Sequence, residues 1–273
     1  MASATVPNTE SFSFKARTPL EVTFAVWRAL FLREALSRIT ATRSAVLWLF
    51  FEPVFHVSYM LVLYTVIRTR VIGGIDTVLW LLGGILIFLL FRRVSVQAGR
   101  AVSSNAALFT YRQVKPVDTV LIRSVVELMI LILVAAILLF GAFLAGHDVF
   151  PADPLTVLLS IAGIWLLALG WGLIRSVFQE LVPESANLFN MMMAPLYIMS
   201  GAILPLTKVP YPYLDWLMYN PIVHAIESVR LGFSTYYHAP AGVSLAYLFA
   251  FALIFVFAGL ALHRHFALRL VSQ

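Results

Sequence analysis

The sequence predicts an all-α integral membrane protein with six transmembrane helices, an N-terminal interfacial helix and a re-entrant helical hairpin before the last span. Hydrophobic residues make up 61% of the 273-residue chain and charged residues 12%, against about 45–50% and 25% in globular domains. So few charges leave too little polar surface for a water-soluble domain of this size. The chain contains no cysteine, which excludes a disulfide scaffold and a thiolate metal site.

Six stretches are long and apolar enough to cross a hydrocarbon core, which needs about 20 residues. Glu52 and Pro53 interrupt the first stretch, and Pro195 and Pro205 break the fifth. We expect spans at about residues 44–67, 73–91, 119–144, 155–174, 185–207 and 243–262, within one domain of residues 20–273 that follows a flexible tail of residues 1–19.

The basic residues are distributed unevenly among the predicted loops. Fifteen of the 19 Lys and Arg residues fall on the side that carries both termini, and four fall on the other side. Because Lys and Arg concentrate in cytoplasmic loops, both termini are predicted to lie in the cytoplasm. The net charge of +6 then reflects membrane topology, and we do not expect nucleic acid as a partner.

Residues 20–39 are predicted to form a helix before the first span. Phe24, Trp27 and Phe31 recur at a spacing of three to four residues, but the arginines are five apart and do not line one face. Trp27 among several arginines favours a helix at the cytoplasmic membrane surface. A helix surrounded by water is the alternative.

The predicted loop of residues 92–116 is basic and long for a connection between two spans. Ser103, Ser104 and Asn105 are typical residues for capping a short helix that would run to Thr110. Such a small helix suits insertion into a cleft of a partner protein, and it suits a position on lipid headgroups equally well.

Two spans carry ionisable residues four positions apart, on one helix face. Arg123 and Glu127 lie near the start of the third span, where a structural ion pair is the favoured interpretation. Glu52 and His56 lie deeper in the first span. A charge in the bilayer centre costs about 2.5–3.5 kcal/mol on insertion scales, so the second pair is either a structural bridge or part of a polar path.

The connection of residues 208–242 is rich in aromatic residues and contains a short predicted helix. Asn220 is a typical N-cap before Pro221, and Gly232 is a typical C-cap. The predicted helix, residues 221–231, is too short to span a bilayer and carries His224, Glu227 and Arg230. With the preceding segment it predicts a hairpin that dips into the outer leaflet. The aromatic residues fit an interfacial belt or a stacking surface for sugar rings.

Several motifs of enzymes are missing from the sequence. Gly141 and Gly146 have the spacing of a P-loop, but the Lys is replaced by His147, so the chain does not hydrolyse ATP by that motif. His263 and His265 alone are too few to predict a metal site. An intramembrane transferase or hydrolase using Glu52–His56 or His224–Glu227 stays a rival interpretation. A transporter acting alone is another, although no internal repeat is evident.

Five pieces of sequence, in order around the six spans, resemble one family. They are Val46-Leu47-Trp48 with Glu52-Pro53, Asn105 to Leu108 through Tyr111, Val114 to Asp118 with Arg123 and Glu127, Ser200-Gly201 through Pro205, and Asn220-Pro221 followed by His224, Glu227 and Arg230. From about Leu20 onward the chain resembles the permease subunit of bacterial ABC exporters for capsular polysaccharide, of the ABC-2 type. Related permeases export O-antigen or teichoic acid.

This resemblance implies a homodimeric permease in the bacterial inner membrane, driven by an ATPase subunit dimer that binds ATP and Mg²⁺, so that this chain itself binds no cofactor. It further implies a lipid-linked, usually acidic polysaccharide substrate, a periplasmic co-polymerase or adaptor, and a periplasmic position for the hairpin. The ATPase-contacting residues implied for the cytoplasmic loop are Arg100, Ser104, Asn105, Leu108, Phe109 and Tyr111.

A polyanionic glycan needs a route with cationic groups and aromatic faces. The residues predicted to line this route are Arg93 and Arg100 at the entrance, and Tyr211, Trp216, Tyr219, Arg230 and Tyr237 near the exit. Pro195 and Pro205 make the fifth span a candidate flexing element.

Overall fold

The computed structural model describes residues 18–40, 43–67 and 71–271, and the tail predicted at residues 1–19 lies almost wholly outside them. The α-helices are α1 (Pro19–Thr40), α2 (Arg43–Ile67), α3 (Thr77–Gly99), α4 (Pro116–Leu144), α5 (Pro154–Leu181), α6 (Ser185–Met199), α7 (Tyr213–Leu217), α8 (Pro221–Phe233), α9 (Leu245–His265) and α10 (Ala267–Val271). Two 3₁₀ segments (Ser103–Thr110 and Leu206–Lys208) and an antiparallel hairpin of β1 (Val71–Ile72) and β2 (Ile75–Asp76) connect them.

Four of these helices are long and apolar enough to cross a membrane: α3, α4, α5 and α9. The predicted first span corresponds to α2, whose apolar stretch within the described residues is Pro53–Tyr64. The predicted fifth span corresponds to α6, which has only 15 residues. It ends at Met199 and not near Thr207, because Gly201 adopts a positive φ of 71° and turns the chain.

Helix α3 is the centre of the bundle, and α2, α4, α5 and α8 pack around it. Trp80, Leu81 and Ile85 are completely buried there. Fewer than a third of the residues in the apolar stretches of α4 and α9 are buried, as expected for surfaces that face lipid. The first eight residues of the predicted loop, residues 92–99, belong to α3, which continues to Gly99. The connecting loop is therefore shorter than predicted, residues 100–115.

Side chains at the helix starts explain where several elements begin. Asp76 accepts hydrogen bonds from the amides of Val78 and Leu79 at the start of α3, and Asp153 caps α5 in the same way. Hydrogen bonds from Thr156 hold the pKa of the Asp153 carboxyl below its ordinary value. Asn220 caps α8 as predicted, through the amide of Ile222.

Gly232 was predicted to be the C-cap of α8, but it is not. The helix continues to Phe233 and its C-cap is Ser234. A Cβ at position 232 would lie 2.6 Å from Cγ2 of Val157. The carbonyl of Gly232 also accepts a hydrogen bond from the amide of Asp153. Glycine is present here because α8 approaches the start of α5 closely.

The two ends of the bundle differ, and we name them by their content. The "basic end" is where α3 ends and α4 begins, and the "hairpin end" is where α3 begins and α4 ends. Helices α5 and α9 run side by side in the same direction. Gly163 packs on Leu248 and, seven residues later, Gly170 packs on Val256. Small residues at such contacts let two helix backbones approach within a membrane.

This close approach gives a test of the packing. A Cβ at Gly170 would lie 2.6 Å from the backbone nitrogen of Val256, whereas Gly141 on α4 has no atom within 4 Å of the same position. We expect Gly170→Ala to lower the free energy of unfolding by about 1–3 kcal/mol, because the helices must move apart. Gly141→Ala is the control and should not destabilise the protein. Thermal unfolding in detergent measures both, and a Gly170→Ala midpoint equal to that of the control would contradict the packing.

Candidate functional site

A cavity of about 670 Å³ lies between α2, α3 and α6 and extends from the basic end into the bundle. Its charged lining side chains, among the described residues, are all arginines. The lining residues are Pro53, His56, Phe88, Leu89, Arg92, Arg93, Val96, Gln97, Arg100, Asn190, Met193, Ala194 and Tyr197. The cavity therefore combines a cationic mouth with an apolar and aromatic interior.

The arginines of this cavity come from the C-terminal end of α3. Arg93 and Arg100 are seven residues apart, about two helical turns, so they share one face, and Arg92 lies about 100° around the helix axis from Arg93. Arg93 forms an ion pair with Glu127, with an Nε–Oε2 distance of 3.3 Å. Arg92 and Arg100 are exposed and have no carboxylate partner in the part of the chain that the structure describes. These two side chains give the cavity a positive potential that attracts anions.

His56 connects two walls of the cavity. Its Nε2 lies 3.1 Å from the hydroxyl of Tyr197, which joins α2 to α6. Burial of both groups in a hydrogen bond explains why the bundle tolerates a histidine inside a span. The side chain of Glu52, the predicted partner of His56, lies outside the described residues.

A stripe of exposed aromatic side chains continues from the cavity along α2. Trp48, Phe51, Phe55 and Tyr59 are each at least half exposed. Trp48 stacks on Phe51 and Phe51 stacks on Phe55, with ring centroids 5.4 and 5.5 Å apart. Their spacing of three to four residues places them on one helix face. We call this set the aromatic stripe.

At the basic end, α1 is fastened to the bundle by ion pairs that differ from those predicted. Arg123 and Glu127 do not form the predicted pair. Glu127 is fully buried and pairs with Arg38 at 2.8 Å and with Arg93, while Arg123 pairs with Glu34 at 3.3 Å. The prediction was wrong because α1 supplies closer partners than the neighbouring turn of α4 does.

Two further hydrogen bonds hold α1 in place. The indole Nε1 of Trp27 donates to Asp118 at the start of α4 at 2.8 Å. The guanidinium of Arg33 donates to the side chain of Asn105 in the 3₁₀ segment. Helix α1 is thus a packed part of the bundle with an exposed face that includes Leu20 and Phe24.

The 3₁₀ segment Ser103–Thr110, which we call the coupling segment, has a buried and an exposed face. Asn105 and Phe109 point inward, where Phe109 packs near Leu270. Of the other predicted contact residues, Arg100, Ser104 and Tyr111 are exposed and Leu108 is half-buried.

The start of the coupling segment is not capped by its own side chains, contrary to the prediction. The preceding residue, Val102, has no capping hydrogen bond, and the Asn105 amide donates to the carbonyl of Ala101 at 2.7 Å. The Ser103 hydroxyl donates to the carbonyl of Arg100 at 3.2 Å, and the carboxylate of Glu180 at the end of α5 lies near Ser103.

Arg230 and Tyr237 were both predicted to line the substrate path near its exit. In the structure both are buried at the hairpin end and line no open path. Arg230 is fully buried; its Nη1 donates to Glu227 at 2.7 Å, and its guanidinium lies 3.7 Å from the ring centroid of Trp80. The Tyr237 hydroxyl donates to the second oxygen of Glu227, also at 2.7 Å. Burial and the neighbouring Glu227 raise the pKa of Tyr237 above its ordinary value.

Arg230 also holds the chain that follows α6. Its Nη2 donates to the carbonyls of Gly201 and Ala202 at 3.0 and 3.1 Å. A Cβ at Gly84 would lie 2.3 Å from the Ala202 carbonyl oxygen, so glycine permits this approach. The other predicted exit residues, Tyr211, Trp216 and Tyr219, are more than 60% exposed on the surface of the hairpin.

The histidines of the rival enzymatic interpretation are engaged in structural bonds. Nδ1 of His224 accepts from the Ser244 amide and Nε2 donates to the Met218 carbonyl, so both ring nitrogens are used and the ring is neutral. His263, which the sequence offered only as half of a possible metal pair with His265, lies 2.9 Å from the Ser176 hydroxyl. No group of three potential metal ligands occurs in residues 18–40, 43–67 and 71–271.

Sequence reasoning missed several residues that build these sites. Glu34 and Arg38 of α1, and Trp80 of α3, were not singled out, although they hold the charged residues that were. The i,i+4 spacing of Glu34 and Arg38 was a usable signal. No local pattern connects Trp80 with Arg230, which is 150 residues away.

Comparison with known proteins identifies the family. Residues 25–234 match the family described as "ABC-2 type transporter", and the chain therefore belongs to the ABC-2 type transporter family.

Among individual proteins, the chain is 34% identical over 249 residues to the polysialic acid transport protein KpsM of Escherichia coli, covering 91% of this chain and 96% of that one. It is 26% identical over 208 residues to the capsule polysaccharide export inner-membrane protein CtrC of Neisseria meningitidis, covering 75% and 77%. It is 24% identical over 213 residues to the inner-membrane protein of the same description, BexB, of Haemophilus influenzae, covering 76% and 78%.

The buried pair at the hairpin end yields a stability prediction. Glu227→Gln leaves the charge of Arg230 buried without compensation, so we expect a loss of about 3–5 kcal/mol in the free energy of unfolding. The double variant Glu227→Gln/Arg230→Met should recover part of that loss, because it removes the uncompensated charge. Glu21→Gln on exposed α1 is the control, and thermal unfolding in detergent is the measurement. A double variant less stable than Glu227→Gln alone would contradict this assignment.

Proposed function

We propose that the chain is the membrane-spanning permease subunit of an ATP-driven exporter that moves lipid-linked capsular polysaccharide from the cytoplasm to the periplasm. The observation that carries the proposal is the arginine-lined cavity of an ABC-2 type chain whose relatives are named for capsule polysaccharide export. Capsular chains of the kind named for the Escherichia coli relative are polymers of an acidic sugar, and such a chain carries one negative charge on every residue.

The cavity and the aromatic stripe offer this substrate complementary contacts. Arg92 and Arg100 supply charge-assisted hydrogen bonds for carboxylates or phosphates at the basic end. Exposed aromatic faces at Trp48, Phe51 and Phe55 suit the apolar faces of sugar rings. The aromatic stripe lies on α2, and the cavity lies between α2, α3 and α6. Most side chains of α6 are exposed. Two copies facing each other through α2 and α6 would enclose a path lined by these groups.

The energy for transport comes, in this proposal, from a separate ATPase dimer that binds ATP and Mg²⁺. The exposed face of the coupling segment, with Ser104, Ala106, Ala107 and Tyr111, is the proposed contact surface. It is supported from behind by α1 through Asn105 and by α10 through Phe109, so a force applied to it reaches both helices. The sequence carries no P-loop of its own.

The same proposal sets the topology. Helices α2, α3, α4, α5, α6 and α9 are the six spans in a bacterial inner membrane, with the basic end and both termini in the cytoplasm. Helices α7 and α8 then form the periplasmic hairpin, whose exposed Tyr211, Trp216 and Tyr219 lie at the outer surface. A periplasmic co-polymerase or adaptor is the expected partner on that side.

Another glycan, such as an O-antigen or teichoic acid, is the alternative substrate within the same mechanism. The relatives' names favour a capsular chain, and the unpaired arginines favour an acidic one. An intramembrane transferase is disfavoured because both nitrogens of His224 are held in structural hydrogen bonds.

Charge removal at the cavity mouth tests the substrate path. We expect Arg92→Ala/Arg100→Ala to reduce surface capsule at least about tenfold, since two charge-assisted contacts are lost, while the amount of inserted protein is unchanged. Lysine at both positions should restore part of the export. Arg264→Ala, which removes an exposed arginine of the same end outside the cavity, is the matched control. Normal capsule in the double alanine variant, measured by flow cytometry, would exclude these residues from the path.

A second variant tests the ATPase contact. Ala107→Arg places a long charged side chain on the exposed face of the coupling segment, so we expect the ATPase subunit to be lost in co-purification. Ala145→Arg, the same change at an exposed position of the hairpin end, should leave co-purification intact. Equal recovery of the ATPase with both variants would show that the coupling segment is not the contact surface.

A further inference from the structure

A second fully buried arginine, Arg175 on α5, lies between the coupling segment and α6. It has no carboxylate partner within the described residues. Burying a guanidinium is costly unless its surroundings compensate the charge. Its position therefore calls for an explanation in terms of what it contacts.

On one side, Arg175 contacts the end of α3, which leads into the coupling segment. A Cβ at Gly99 would lie 2.6 Å from Cδ of Arg175, so the arginine stem packs directly on the Gly99 backbone. With its amide oriented to satisfy both atoms, Gln179 accepts from Nε of Arg175 at 3.0 Å and donates to the Gly99 carbonyl at 2.7 Å. The C-terminal carbonyls of α3 also supply partial negative charge near the guanidinium.

On the other side, Arg175 contacts α6. Its Nη2 donates to Oδ1 of Asn190 at 2.9 Å, and its guanidinium carbon lies 5.6 Å from the centroid of the Phe189 ring. Among the α6 side chains that the structure describes, only Met193 is buried. Helix α6 thus depends on few contacts, and this one joins it to the coupling segment.

Helix α6 is held by a buried arginine at each end, with different consequences. Arg230 binds the carbonyls after its last residue, and it does so from the hairpin end. Arg175 binds near its beginning, at Asn190, which lines the arginine-lined cavity. A displacement of the end of α3 must therefore move Arg175, and with it the first half of α6 and the cavity wall.

We propose that Arg175 is a positioning residue that transmits movement of the coupling segment to α6. Glu180, five residues later on α5, lies near Ser103 at the start of the coupling segment. The guanidinium is suited to this role because its planar fork bonds Asn190 and Gln179 at once. We call the contacts of Arg175 with Gly99, Gln179 and Asn190 the joint. The role of the joint in transport rests on the proposed function, but the existence of these contacts does not.

The first test uses the purified chain in nanodiscs without any partner. Asn190→Ala removes the acceptor from an exposed position, and Arg175→Met keeps the stem and removes the guanidinium. We expect both to raise amide hydrogen exchange about tenfold or more in residues 186–194 and in residues 99–104, because one hydrogen-bonded unit opens. Asn187→Ala, an exposed asparagine one turn earlier on α6, should leave residues 99–104 unchanged. Faster exchange in α6 alone, or in neither segment, overturns the joint.

The second test uses the complex with its ATPase subunit. We expect Arg175→Met, which changes no residue of the cavity lining, to keep ATP hydrolysis within about twofold of the unaltered complex while export per ATP falls about tenfold. Arg175→Lys should restore part of the export that Arg175→Met loses. A parallel fall in hydrolysis and export, or unchanged export per ATP, overturns the transmitting role. If no ATPase binds the chain at all, the proposed function fails, and the exchange experiment still decides whether the joint exists.

Discussion

The ionic contacts of three arginines with two buried glutamates are the constraint on which the rest of the structure depends. Inside a bilayer a charge is stable only when partners compensate it. Glu127 meets this condition by gathering Arg38 and Arg93, which draws α1 and α3 against α4. Glu227 does so with Arg230, which fastens the hairpin to α3 and to the chain after α6. Because these charges are neutralised by partners inside the protein, Arg92 and Arg100 are the arginines of the cavity lining that have no carboxylate partner among the described residues.

The same contacts separate a densely packed part of the molecule from a helix with few contacts. Helices α3, α5, α8 and α9 pack through glycines and buried apolar side chains. Helix α6 is short, mostly exposed and held mainly at Asn190, Tyr197 and the carbonyls of Gly201 and Ala202. It also forms one wall of the cavity. A transporter driven from outside needs this division, since a stiff frame converts a push on the coupling segment into displacement of a wall.

Much of the fold could be predicted from the sequence, because apolar stretches and caps act locally. The helical class, the positions of the long helices and the Asn220 cap follow from hydropathy and from the residues before each helix. The charge partners could not be predicted in the same way. Arg123 and Glu127 satisfy the local rule for a pair, yet Glu34 and Arg38 take their places from a helix about 90 residues earlier. Arg230 fits an acidic substrate by type, but Trp80, Glu227 and two carbonyls bury it. Local spacing identifies possible partners on the same helix. It does not identify the partners that the fold brings in from distant parts of the chain.

Reconstituted transport tests the central claim most directly. Proteoliposomes would contain this chain and an ATPase subunit, with a lipid-linked acidic glycan in the outer leaflet and an added glycan hydrolase outside. The account predicts that ATP makes the glycan resistant to the hydrolase, that both subunits are required, and that a neutral glycan of equal length is protected far less. Protection by this chain alone, without the ATPase or ATP, would contradict the account.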